Sequence, residues 1–191
     1  MFQACIKKLL LVFIFSVSSL LTAEDYQAGK HYQVLSEPIA TRDSKKIEVI
    51  EFFWFGCGHC FSLENQLNSW EEELSDDIDF WRSPITWNEM AKTHAKLFYA
   101  AEFFKKPAII RDTFLSIHAN QRMMTSDREL KPFFASFGIA EDQYQSLFNS
   151  FAMQNKIRRA DTFGLKYEIR GVPAFIVNGK YKVSASREVG T

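Results

Sequence analysis

Cysteine is scarce in this sequence: Cys5, Cys57 and Cys60 are the only three in 191 residues, too few for a fold stapled by several disulfides. A surplus of either charge is lacking too. Lys+Arg and Asp+Glu stand at 23 each, so there is none of the basic excess that marks a nucleic-acid or anionic-membrane surface. Internal repeats, low-complexity tracts and long linkers are absent. What is abundant is apolar material. Hydrophobic residues make up 47% of the chain and aromatics 15%, which excludes a disordered chain and suits one packed domain, or one domain with an insertion.

The one long apolar run falls short of a comfortable membrane span. LLLVFIFSVSSLLTA follows Lys7 and Lys8 and ends at Ala23. A charged start, a short apolar stretch and a small residue at its end make residues 1–23 a secretory signal peptide, with an uncleaved anchor as the alternative. Leu21 is bulkier than the usual small residue at its place before a cut. Cys5 lies before the apolar run rather than after it, which argues against a lipoprotein, and it leaves with the signal. The exported chain then keeps Cys57 and Cys60 alone.

Two residues apart in FFWFGCGHCF, these cysteines have only each other. As a staple the pair is poor, because closing so small a loop removes little entropy from the unfolded chain. As a metal site it lacks a second C-x-x-C, and His59, His94 and His118 show no paired ligand spacing, so no metal is expected. A redox-active pair remains. Upstream, IEVIEFFWF is a β-branched and aromatic run suited to a buried strand. Downstream, Cys60, Leu63, Leu67, Trp70 and Leu74 recur at helical intervals and predict one apolar helix face. Strand, Gly56, then helix puts Cys57 at a helix start, where unpaired N–H groups and the helix dipole favour a thiolate. Cys57 is thus the expected nucleophile, and Cys60, one turn in and shielded, the resolving thiol. His59, between them, is placed to offer a hydrogen bond or positive charge to the Cys57 thiolate.

EFFWFGCGHC, RGVPAFIVNGKY at 170–181 and YQAGKHYQVLSEP at 26–38 together resemble the DsbA family of periplasmic thiol-disulfide oxidoreductases. The resemblance implies an α/β thioredoxin-like fold, a Val172–Pro173 peptide bond that is cis and lies beside the cysteines, and a Val172 backbone that pairs with extended substrate. It also implies that Glu51 lies beneath the buried cysteine and helps move its proton. Read from the sequence alone, a carboxylate in so apolar a strand is costly unless paired or protonated, and a strand-edge Glu51 facing water is equally open. Implied partners are reduced, unfolded exported proteins and a quinone-linked membrane reoxidase similar to DsbB; a monomer in the periplasm is expected, with no cofactor and no nucleic acid. The rivals are a reductase or isomerase, and a chaperone-like binder whose cysteines are incidental.

The rest of the chain gives the domain plan. Residues 24–84 and 164–191 form the thioredoxin-like core, and residues 85–163 an all-helical insertion. ITWNEMAKTHAKLFYAAEFF carries helical spacing up to a break at Pro107; Ser126 and Glu129 resemble a capping box before LKPFFASF, with Gly138 as terminator and Pro132 a poor fit unless that helix begins late. A further helix is expected from Gln143 to Thr162, broken near Phe151 and ended by Gly164. AFIVNGKYKV predicts a hairpin with a type I′ turn at Asn178-Gly179. Two features depart from the family: Gly58-His59 replaces the Pro-His of the best-known DsbA proteins, and the chain stops just after the hairpin where the family continues into a final helix. The first puts the redox potential in question; the second predicts a C-terminally short chain of reduced stability.

Overall fold

The structure, a computed structural model, describes residues 26–184. The signal-peptide reading of residues 1–23, Cys5 included, and the expectation of a shortened end at 185–191 lie outside the described residues. Along the chain run β1 (Gln33–Val34), β2 (Ile47–Phe53), α1 (Gly58–Glu72), β3 (Ile78–Pro84), α2 (Glu89–Phe104), α3 (Ala108–His118), α4 (Asp127–Ser136), α5 (Glu141–Asn149), α6 (Phe151–Lys166), β4 (Ala174–Val177) and β5 (Tyr181–Ser184). The strands form one mixed sheet in the order β1-β5-β4-β2-β3. Among the described strands only β2 and β3 pair in parallel, and α1 supplies the crossover that a parallel pair requires.

The apolar run of β2, interrupted only by Glu48 and Glu51, follows from its place inside the sheet, with both faces covered. Ile50 and Phe52 pack with Tyr167, Ile169 and Ile176 on one side. Phe53 and Phe55 face the opposite way, into a larger core with Cys60, Phe98, Phe114 and Phe134. Val172 touches both cores. The hairpin forms as its sequence predicts: Asn178 and Gly179 both have positive φ, at 49° and 60°, and the Lys180 N–H closes the turn on the Val177 carbonyl.

Three local expectations are corrected. Trp70 does not lie on a buried face of α1; it is 38% exposed, and the buried positions are Cys60, Glu64 and Leu67. A glutamate takes an inward place because Arg82 meets it there. In α4, Pro132 sits inside the helix, which starts at Asp127. Losing one helical bond costs about 3 kcal/mol, whereas burying Leu130, Phe133 and Phe134 contributes about 1.5–3 kcal/mol each. Gly138, with φ 74°, ends that helix as expected. Gly164 does not end the last one. The segment divides at Ser150, whose extended backbone closes α5 and whose side chain caps α6 at the Met153 N–H. Helix α6 then runs through Gly164 to Lys166, and Glu168 takes the left-handed conformation beyond it, with φ 50°.

Candidate active site

Strand β2 delivers the chain to a tight turn at Trp54–Cys57, closed by the Cys57 N–H on the Trp54 carbonyl at 2.9 Å. Cys57 is the N-cap of α1, a place where a side-chain acceptor meets unpaired N–H groups. Its sulfur accepts from the Cys60 N–H at 3.4 Å. Both thiols are free; Cys57 is half-buried and Cys60 is 1% exposed. A hydrogen bond from the Cys60 thiol, the Cys60 and His59 N–H groups and the charge of His59 outweigh partial burial and bring the Cys57 pKa down to about 6. That hydrogen bond and burial drive Cys60 the other way, far above the ordinary thiol range. The arrangement gives one half-buried sulfur that holds negative charge near neutral pH and one buried sulfur that keeps its proton. His59 itself is exposed at the rim.

The Val172–Pro173 bond is cis, as the resemblance implies. The Cys57 thiol reaches the Val172 carbonyl at 3.3 Å, which brings together residues 115 apart in sequence. Pro173 is buried behind it and β4 begins at the next residue.

Glu51 faces inward. It is 0% exposed and lies on the same side of β2 as Phe53, which belongs to the same core as Cys60. In the parallel register Glu51 stands opposite Arg82 of β3, whose Nε donates to Glu51 Oε2 at 2.5 Å. The same guanidinium makes a two-pronged pair with Glu64 of α1, at 3.0 and 2.8 Å, and lies 4.4 Å over the Phe53 ring. Burial pushes the Glu51 carboxyl up to about 7 against the pull of Arg82, with Glu64 adding to the rise. Burial works against the Arg82 charge as well, but the two carboxylates hold it protonated beyond its ordinary range. Among the described residues Glu51 Oε1 has no hydrogen-bond partner.

Comparison with known proteins decides the family. A sequence profile described as the DSBA-like thioredoxin domain matches residues 48–189. The chain belongs to that DsbA-like family. It is 34% identical over 161 residues to the thiol:disulfide interchange protein DsbA of Pseudomonas aeruginosa, covering 84% of this chain and 76% of that one. The DsbA of Azotobacter vinelandii is 31% identical over 163 residues, covering 85% and 76%. Among solved structures, Pseudomonas aeruginosa DsbA superposes with a TM-score of 0.79 at 33% identity, covering 85% of each chain. An oxidoreductase DsbA from Xylella fastidiosa shares the fold with a TM-score of 0.78 at 24% identity, covering 85% of this chain and 90% of that one. The fold is therefore the DsbA-like thioredoxin fold, and the activity class is thiol:disulfide oxidoreductase.

Within this DsbA-like frame, Cys57 lies beside Cys60 and Val172, with His59 exposed at the rim, Pro173 buried next to Val172, and Glu51 buried in β2. Sequence reasoning missed Arg82 and Glu64. An arginine in the short apolar segment IDFWRSP was the available signal, since a charge in such a strand needs a partner. Its partners lie 31 and 18 residues away: strand register reveals Glu51, and the packing of α1 on the sheet reveals Glu64.

Proposed function

We propose that this protein is a dithiol oxidase of the bacterial periplasm that donates disulfides to reduced exported proteins. The carrying observation is the opposed pair of sulfurs: a Cys57 thiolate favoured at the start of α1 over a Cys60 thiol kept protonated. Stabilising the thiolate makes the Cys57–Cys60 disulfide the less stable form, and so a donor. A client thiolate attacks Cys57. The Cys57–Cys60 bond breaks, a client–Cys57 disulfide forms, and Cys60 leaves as a thiolate that takes up a proton. The client's second thiolate then attacks the client sulfur of the mixed disulfide, which forms the client disulfide and releases Cys57 as the thiolate.

His59 assists as a nearby positive charge, Glu51 supplies the proton to Cys60, and the Val172 backbone next to Pro173 lines up extended client chain. A quinone-linked membrane partner similar to DsbB restores the disulfide, and the protein acts as a monomer. Residues 24–84 and 164–191 are the thioredoxin-like core, residues 85–163 the insertion, and residues 1–23 the export signal. Among the described residues no helix is long and apolar enough to cross a membrane.

The test is turnover. Oxidised protein should introduce disulfides into a reduced, unfolded protein, and Cys57→Ser should not. If the wild type introduces no disulfides and Cys57→Ser binds unfolded chain as well as it does, the protein is a binder whose cysteines are incidental. Equilibration with glutathione separates the direction: a pair that stays reduced in an oxidising glutathione buffer is a donor, and one that stays oxidised in a reducing buffer is a reductase.

A further inference from the structure

One buried side chain grips the turn before Cys57 without entering the exchange chemistry. His94 of α2 is 2% exposed. Its Nδ1 accepts the Trp54 indole Nε1–H at 3.0 Å, its Nε2 stands 2.9 Å from the Met123 carbonyl, and the two rings stack with centroids 6.0 Å apart. An indole N–H only donates and a carbonyl only accepts, so the imidazole is neutral with its proton on Nε2. Burial, which lowers the His94 pKa, agrees with that state.

Trp54 is tied to the reactive turn through its backbone as well: its carbonyl accepts the Cys57 N–H at 2.9 Å. Its indole lies so close to Gly56 that a Cβ at that residue would stand 2.4 Å from a ring carbon. A second histidine of the inserted helices does the same for the neighbouring residue: His118 Nε2 donates to the Phe55 carbonyl at 2.7 Å, with its ring stacked on Phe61 at 4.7 Å. Each of the two residues before Gly56 is thus held by an imidazole from the helical side.

We propose that His94 is a positioning residue for the Cys57–Cys60 centre, acting through Trp54 to hold the 54–57 turn so that Cys57 caps α1. The proposal rests on Cys57 being the reactive thiol. A histidine kept for shape alone would not need an acceptor at Nδ1. Here that acceptor satisfies an indole N–H packed against the reactive turn, and the Nε2–H anchors the loop at Met123.

Replacements at His94 separate the two bonds. Asparagine carries an amide oxygen near the place of Nδ1, and glutamine an amide N–H near that of Nε2. His94→Gln therefore loses the bond to Trp54, and His94→Asn keeps it. Trp54→Phe removes the donor and leaves an aromatic ring on Gly56. The readout is the rate of iodoacetamide alkylation of Cys57 at pH 5 in the full reduced chain, alongside its thiolate absorbance titration and urea unfolding. His94→Gln and Trp54→Phe should each slow alkylation about three- to tenfold, the effect of a pKa rise of about half to one unit. The double variant should be no slower than the slower single one, because the two changes break one link. His94→Asn should rescue most of the rate lost in His94→Gln. Variants that lose urea stability yet alkylate at the wild-type rate would overturn the proposal and leave His94 a packing residue. Where the His94 variants fail to fold, Trp54→Phe decides alone by the same criterion. Wild-type Cys57 that is itself unreactive at pH 5 would remove the parent reading and this one together.

Discussion

At the scale of single residues, the account turns on how far the Cys57 thiol is tuned. With its pKa near 6, roughly a tenth of Cys57 is thiolate at pH 5, about 300 times the fraction of an ordinary cysteine with a pKa near 8.5. Cys57 alone should therefore be alkylated at pH 5 in the reduced native protein; labelling of Cys60 first, or of neither until pH 8, would reverse or remove the assigned roles. Replacing His59 with Ser removes a positive charge beside the thiolate and should raise the Cys57 pKa. The bond from the Cys60 thiol and the backbone N–H groups remain, so the rise should recover only part of the shift from 9.0 to about 6. An unchanged absorbance titration would make His59 a bystander. For Glu51 the sign runs the other way. With a pKa near 7 it is protonated below neutral pH and able to hand a proton to the departing Cys60 thiolate, and it is a carboxylate above. Glu51→Gln should slow client oxidation about tenfold, most of all below pH 7, and erase an inflection near 7 in the rate profile. A parallel slowing at every pH would point to packing instead. The cysteines and His59 were legible because their chemistry follows from spacing, whereas the depth of Glu51 was not, since aromatics on both faces of β2 conceal which way it points.

Between elements, β2, β3 and α1 are joined by one guanidinium. Arg82 pairs with Glu51 and Glu64 together, and the three side chains are at most 9% exposed. Removing it leaves two carboxylates buried without a cation, so Arg82→Ala should destabilise the protein by about 3–5 kcal/mol in urea unfolding. Without the arginine both carboxyls should bind protons more readily in the folded state, which makes the loss larger at pH 8 than at pH 5. A loss under 1 kcal/mol at both pH values would mean that water reaches the site and screens it. Elements whose signals are local were read well: the buried strand, the helix after Gly56, the Asn178-Gly179 turn and the stop at Gly138. Those decided by distant contacts were misread. Helical spacing points Trp70 to a buried face that Glu64 occupies, because the pull of Arg82 comes from another strand. Local cost makes Pro132 a poor helix residue, while the aromatics it sits among settle the matter.

For the whole molecule, redox state and folding must be linked. The Cys57–Cys60 bridge closes a short loop and so constrains the unfolded chain weakly, whereas the reduced form gains a thiolate that the unfolded chain holds less well. Because the folded Cys57 pKa lies below its unfolded value, this advantage is absent below about pH 6, grows as pH rises towards the unfolded value near 8.5, and levels off above it. Glu51 adds the opposite trend: its raised pKa gives a contribution that is present below about 4.5 and lost as pH rises through about 7. That residue is present in both redox states, so its effect largely cancels in their difference. The difference is therefore the quantity to measure, by urea unfolding of oxidised and reduced protein side by side at pH 7 and pH 4. The account predicts that the reduced protein is the more stable at pH 7 and that its margin shrinks at pH 4. An oxidised protein more stable at pH 7 would contradict the disulfide-donor reading, and a margin unchanged at pH 4 would contradict the thiolate as its source.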